Sequence, residues 1–182
     1  MDIRDATGDD LPAIDDIYHH FVRTSTCTFQ LEPGTPEERA AWLAAHGSAH
    51  PATVAVDGGE VVGWGSLSRY HARAAYRFTV ESSVYVRADR HGRGIGRALL
   101  VDLIERAVRA GHHAILASIT AEQEPSIGLH RSLGFVEVGR FREIGYKFGR
   151  WLDVVYLQRT LPLKASFIGV ERTLRDAPRR AA

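Results

Sequence analysis

Cysteine is nearly absent from this sequence. Cys27 is the single one in 182 residues, which excludes an intrachain disulfide framework and fits a reducing compartment. Long apolar runs are missing too. No stretch approaches the roughly 18 apolar residues that a membrane span needs, and the opening MDIRDATGDD has no apolar signal core, so a cytoplasmic location is expected. Charge of one sign is also lacking: a formal net charge of +1 gives no reason to expect nucleic acid or membrane as the principal partner. The nine histidines show no metal-ligand spacing. There is no HExxH and no cysteine pair, and the adjacent His19-His20 and His112-His113 point apart on a helix or strand, so no metal site is expected. Internal repeats and low-complexity blocks are absent as well.

What remains is enough apolar sequence, 45% of 182 residues, for one well-filled domain. Residues 1–163 are expected to form it. Residues 164–182, charged and without a clear apolar face, are expected to form a flexible tail.

The chain is organised around the stretch from Tyr76 to Val108. Phe78, Val80, Ser82, Val84 and Val86 alternate with Thr79, Glu81, Ser83 and Tyr85, the period-2 pattern of a strand with two different faces, which sets Glu81 opposite the apolar row. Then Ile95, Leu99, Leu100, Leu103, Ile104, Ala107 and Val108 recur at helical spacing. The turn between them reads Arg-His-Gly-Arg-Gly-Ile-Gly. Each glycine at a helix start costs about 1 kcal/mol relative to alanine, so Gly94 and Gly96 suggest close approach of something to the backbone. An anion suits the free N–H groups there, with Arg90, Arg93 and Arg97 adding charge. A plain tight turn with solvated arginines is the alternative. The loop is neither GxGxxG nor GxxxxGK[ST].

Elsewhere the pattern predicts a strand at 3–6, a helix at 7–23 with Pro12 near its start, and a helix at 35–46 opened by the Thr35-Pro36-Glu37-Glu38 capping box. Strands at 53–56 and 61–68 flank Asp57-Gly58-Gly59-Glu60, a hairpin signal. A buried strand at 114–119, a short helix at 125–133 and strands at 135–146 and 151–161 complete the order. Residues 24–34 have no period and read as a connecting loop.

The segment Val84-Tyr85-Val86, followed by His91-Gly92-Arg93-Gly94-Ile95-Gly96, resembles the acetyl-CoA-binding motif of the GNAT N-acetyltransferase superfamily, with His91 where Gln or Arg is usual. The stretches TSTCTFQLEPGTPEERAAWL, RAAYRFTVESSVYV, PSIGLHRSLGF and GYKFGRWLDVVYLQRTL are similar to phosphinothricin and methionine sulfoximine N-acetyltransferases, with Gln123 where that group has Asn. The resemblance implies an α/β fold with a central, mostly antiparallel twisted sheet flanked by helices. It also implies acetyl-CoA as co-substrate, a small amino-acid-like amine as acceptor, and a homodimer. The cofactor-binding residues it implies are Val84, Tyr85, Val86, Gly92, Arg93, Gly94, Ile95, Gly96, Arg97 and Gln123.

Acetyl transfer to an amine needs a held acyl carrier, a deprotonated amine and stabilisation of the developing oxyanion. Glu81 within TVE-x-SVYV is the expected general base, and backbone N–H groups near Val84 the expected oxyanion donors. His130 stands where many of the superfamily carry a tyrosine that protonates the leaving thiolate; it either takes that role or packs there. On the acceptor side the resemblance points to Phe29, Glu32, Arg73, Tyr76 and Lys147, with Arg77 and Trp151 nearby. A different amine (a polyamine, an aminoglycoside or a peptide N-terminus) and a non-catalytic acetyl-CoA sensor are the other readings.

Overall fold

A computed structural model describes residues 1–162; the expected tail at 164–182 lies outside them. Seven strands, β1 (Asp2–Asp5), β2 (Ala52–Asp57), β3 (Glu60–Arg69), β4 (Thr79–Val86), β5 (Ala114–Thr120), β6 (Val136–Lys147) and β7 (Arg150–Thr160), form one sheet in the order β1-β2-β3-β4-β5-β7-β6. Every neighbouring pair is antiparallel except β4 and β5. Helices α1 (Leu11–Thr24), α2 (Pro36–Ala44), α3 (Ile95–Ala110) and α4 (Glu124–Ser132) flank it. The α/β class and the mostly antiparallel sheet are as the sequence pattern and the resemblance implied.

Local chemistry explains the boundaries. Gly58 and Gly59 both take positive φ, 59° and 85°, as the two-residue turn joining β2 and β3 requires. The Thr35 hydroxyl accepts from the Glu38 N–H at 3.2 Å while Glu38 Oε2 accepts from the Thr35 N–H at 2.9 Å, the reciprocal cap read from the sequence. The first long helix begins later than expected. Pro12 has no N–H to give the Gly8 carbonyl, so residues 8–10 form a 3-10 turn and the α-helix starts at Leu11. The strand at 136–147 is broken by two register shifts against β7, between Glu137 and Gly139 and between Phe141 and Gly145. At the second, Glu143 takes φ 50° and its N–H donates to Asp153 Oδ1 at 2.9 Å.

The two faces of β4 sort the core. Val80 packs with Leu100, Leu103 and Ile104 of α3, and Val84 and Val86 pack with Ile95 and Leu99. On the other face Tyr85 lies against Trp64 of β3 and Tyr18 of α1, whose Ile14 and Ile17 bury on Val54. Full burial of each such leucine or isoleucine contributes about 1.5–3 kcal/mol. Leu99, Leu100 and Leu103 are wholly buried, so α3 is the principal contributor.

One ion pair fixes the entry to α1. Asp10, 5% exposed, receives Arg4 Nη1 and Nη2 at 2.7 Å each and the Thr7 N–H at 2.8 Å. The Arg4 guanidinium is the main cause that holds the Asp10 carboxyl at about 2, below its ordinary 3.8. A depressed carboxylate contributes stability above its unfolded pKa and loses it as pH falls through the folded one. Asp10→Asn is therefore expected to lower unfolding free energy by about 1–3 kcal/mol at neutral pH. In denaturant titrations, the gap from wild type should close between pH 3.8 and about 2.

Candidate active site

Parallel pairing of β4 with β5 covers only three positions, Thr79↔Ala114, Val80↔Ile115 and Glu81↔Leu116. Beyond Glu81 the two strands part. The β5 strand continues with β7 as far as Thr120↔Val154, while β4 continues with β3 as far as Val86↔Gly63. At the point of separation the Ser82 hydroxyl, at 3.2 Å, donates to the Leu116 carbonyl. The remaining backbone of β4, from Ser82 to Val86, thus borders an open wedge.

Glu81 stands at the apex of that wedge. Its Oε1 accepts a hydrogen bond from the Ser118 hydroxyl of β5. Among the described residues no ion pair to Glu81 occurs. It is a half-buried side chain held by the Ser118 hydroxyl and lines the wedge.

The wedge opens into a cavity of about 870 Å³. One end is the glycine loop. Gly92 and Gly94 take φ 75° and 79°, which L side chains rarely adopt, and no side chain caps the α3 N-terminus after Gly94. The first N–H groups of α3 have no intrahelical partner and point toward the loop with the positive end of the helix dipole. Arg90 and Arg97 line this end. His91, the departure from the family motif, has a structural function: its Nε2 donates to the Val86 carbonyl at 2.9 Å, and its ring stacks on Phe21 of α1, 2° from parallel.

The opposite wall is the segment from Ser25 to Phe29, and neighbouring elements hold it on all sides. Thr120 Oγ1 of β5 donates to the Thr26 carbonyl at 2.6 Å, Tyr85 hydroxyl of β4 to the Cys27 carbonyl at 3.4 Å, and the Tyr18 and Thr28 hydroxyls share a bond of 2.7 Å. Gln123 Nε2 donates to Thr26 Oγ1 at 3.1 Å, and Thr26 Oγ1 donates to Glu122, which Arg150 grips through both carboxylate oxygens at 2.7 Å. Burial pushes the pKa values of the Cys27 thiol and the Tyr85 hydroxyl up.

Most residues expected at the site do line this cavity: Glu81, His130, Phe29, Gln123, Val84 to Val86, and the loop from Gly92 to Arg97 apart from Arg93. Arg93, Glu32, Arg73 and Tyr76 lie outside its wall. Arg73 and Tyr76 sit in the connection before β4, where Tyr76 is exposed and packs edge-on to Tyr70. Lys147 corrects the expectation of a cation facing the acceptor. It is 3% exposed, and its Nζ donates to the carbonyls of Ser25 at 2.7 Å and Thr28 at 2.8 Å. Ser118 and the far wall of Ile144, Val154 and Tyr156 were not foreseen, because nothing in sequence spacing links them to Glu81.

Comparison with known proteins agrees with this geometry. The profile of the Acetyltransferase (GNAT) family matches residues 14–135. The chain is 40% identical over 161 residues to the phosphinothricin N-acetyltransferase of Alcaligenes faecalis, spanning 87% of this chain and 82% of that one. It is 44% identical over 161 residues to the L-methionine sulfoximine/L-methionine sulfone acetyltransferase of Pseudomonas paraeruginosa, spanning 87% and 94%. Among solved structures it superposes, with TM-score 0.86 and 37% identity, on the phosphinothricin acetyltransferase of Sinorhizobium meliloti in complex with AcCoA, covering 91% of this chain and 90% of that one.

The chain therefore belongs to the GNAT acetyltransferase family. It is an acetyl-CoA-dependent enzyme that transfers the acetyl group to an amine. The residues present fit that co-substrate: an uncapped helix N-terminus with two positive-φ glycines for the pyrophosphate, and an unpaired strand edge for an extended arm.

His130, 5% exposed, donates from Nδ1 to the Ser126 carbonyl at 2.8 Å, which leaves Nε2 with the lone pair. Burial lowers its pKa from 6.5. The unfolded chain then binds more protons than the folded one just below pH 6.5, so this group's stabilisation is present above that value and fades on acidification. His50, also lowered by burial, acts in the same direction. The melting temperature is expected to fall from pH 7.5 to 5.5, and the slope to be shallower in His130→Gln; an unchanged slope would mean that His130 is not buried neutral.

Proposed function

We propose that this enzyme acetylates the amino group of a small amino-acid-like acceptor of the phosphinothricin or methionine sulfoximine type, by direct transfer with Glu81 as general base. The observation that carries the reading is the position of Glu81 at the apex of the β4–β5 wedge, hydrogen-bonded by Ser118 and flanked by the Ser25–Phe29 wall. The activities of the Alcaligenes and Pseudomonas relatives, both at 40% identity or more, support the acceptor class.

Acetyl-CoA supplies the acyl group as a thioester. The α3 N-terminus, Arg90 and Arg97 bind its phosphates, the open edge of β4 at Val84 and Val86 aligns its arm, and Gln123 stands beside it. The acceptor arrives as an ammonium ion and gives one proton to Glu81, directly or through water. Backbone N–H groups near Val84 meet the charge that develops on the carbonyl oxygen, a contribution of about 3 kcal/mol. The amine sheds a second proton as the C–N bond forms and the C–S bond breaks. Neutral His130 can receive it at Nε2 and pass it to the departing thiolate.

A different amine is the second reading. Among the described residues lining the cavity the only arginines or lysines are Arg90 and Arg97, both at the glycine-loop end, which favours acceptors with less anionic charge.

A homodimer and a cytoplasmic location belong to the same proposal. The edge strand β6 exposes Val138, Phe141 and Tyr146, and Trp151 of β7 stands 60% exposed beside Tyr146. An apolar sheet edge of this kind is a template for pairing with another chain. The unpaired Cys27 agrees with a reducing compartment, and no helix of the described residues is long and apolar enough to cross a membrane.

Acetyl-CoA-dependent thiol release is expected to be fastest with phosphinothricin, methionine sulfoximine and methionine sulfone in a panel that includes spermidine, an aminoglycoside and an N-terminal peptide. Preference for one of the latter three would move the assignment to that amine, and acetyl-CoA binding without release on any would favour a sensor. Glu81→Gln should lower kcat at pH 7 at least about tenfold while acetyl-CoA still binds; an unchanged kcat removes Glu81 from the mechanism.

A further inference from the structure

Residues 25–28 have no secondary structure, yet each of their four carbonyls accepts a hydrogen bond from a side chain. Thr120 takes the second and Tyr85 the third, while Lys147 takes the first and the fourth. One ammonium thus closes both ends of the segment, from a strand more than 100 residues away in sequence. A lone buried lysine is costly unless its donors are satisfied, and few arrangements satisfy one with uncharged oxygens, so its presence needs a reason.

Its neighbour on the same face of β6 supplies a second observation. Gly145, two residues before Lys147, lies directly under the Phe29 ring, and a Cβ built there would overlap that ring. Gly145 and Lys147 together form a template: one admits the aromatic side chain against the strand backbone, the other ties down the carbonyls that lead up to it. Thr26, Cys27, Thr28 and Phe29 are thereby presented to the cavity facing Glu81.

We propose that Lys147 is a positioning residue for the acceptor half of the site, setting acceptor affinity through the Ser25–Thr28 carbonyls and not by touching the acceptor. The inference deepens the acceptor-site reading given above and rests on it.

Cys27 gives a reporter that does not depend on that reading. It is the single thiol in the chain and sits between the two carbonyls that Lys147 holds. The experiment measures the rate of Cys27 modification by the disulfide reagent DTNB, the binding isotherm for acetyl-CoA, and acceptor KM for an amino-acid acceptor and its carboxamide. Lys147→Met is expected to speed modification at least about tenfold, as loosening of the segment by roughly 1.4 kcal/mol would. Loss of the lysine charge alone would slow it, because that charge favours the thiolate. Acetyl-CoA affinity should stay within about twofold, and acceptor KM should rise for the acid and the amide alike. Lys147→Arg should restore part of the protection, and Gly145→Ala, which keeps the lysine, should reproduce the Met signature by displacing Phe29.

An unchanged Cys27 rate in folded Lys147→Met overturns the proposal, as does a KM increase confined to the carboxylate-bearing acceptor, which would make Lys147 a direct ion-pair partner. Should Lys147→Met fail to fold, the Cys27 rate in Lys147→Gln decides by the same criterion. If no amine is acetylated, the acceptor reading fails separately and the Cys27 rate still judges the lysine.

Discussion

The parting of β4 from β5 after Glu81 is the constraint on which the rest of this structure depends. Three parallel pairs hold the two halves of the sheet together, and each half then follows its own antiparallel partner. Such a break leaves backbone donors and acceptors of β4 without a ladder, which a protein interior does not tolerate unless something else satisfies them. A bound molecule with an extended, amide-bearing arm is what that edge can take. The glycine loop follows β4 after a 3-10 turn at Ala88–Arg90, so the open strand edge leads to the uncapped N-terminus of α3.

The wedge divides the site into two chemically different ends. Arg97 and the uncapped start of α3 put positive charge at one end, where Arg90 lies within 3.7–3.9 Å of Asp57, Glu60 and Asp89. At the other, the wall is made of hydroxyls, Phe29, Ile144 and Tyr156, with Glu81 as the carboxylate between them. Positive charge at the first end suits a phosphate-bearing molecule. The other end offers shape in place of charge. Its wall is a loop whose polar backbone is satisfied by side chains of β4, β5 and β6, so its form is set by elements distant from it in the sequence. The Glu122–Arg150 pair and the Gln123 amide extend the same anchoring to the turn that begins α4.

Two departures from the family motif acquire local reasons in this setting. His91 closes the loop against Val86 and Phe21, and Gln123 uses its amide on the Ser25–Thr26 hydroxyls. Both act on the walls of the cavity, where a side chain of different length can be accommodated, and neither removes a backbone N–H from the glycine loop.

What the sequence determined by itself was local. The alternation that places Glu81 opposite Val80 and Ser82, the helical stripe from Ile95 to Val108, the Asp57–Glu60 hairpin turn and the Thr35 cap are each written in neighbours a few residues apart, because periodicity and capping are short-range physics. The glycine loop was legible for the same reason. Only the tertiary structure decided which of these pieces meet. No spacing rule brings Ser118 to Glu81, puts Phe29 on Gly145, or sends the Lys147 ammonium to the carbonyls of Ser25 and Thr28. Lys147 read as a cation facing the acceptor because charge alone is visible in a sequence. Its burial follows from the insertion of β7 between β5 and β6, which carries β6 to the sheet edge where the 25–29 segment crosses. Long-range contacts of this kind are chosen by the packing of the whole sheet, and that choice leaves no local period to read.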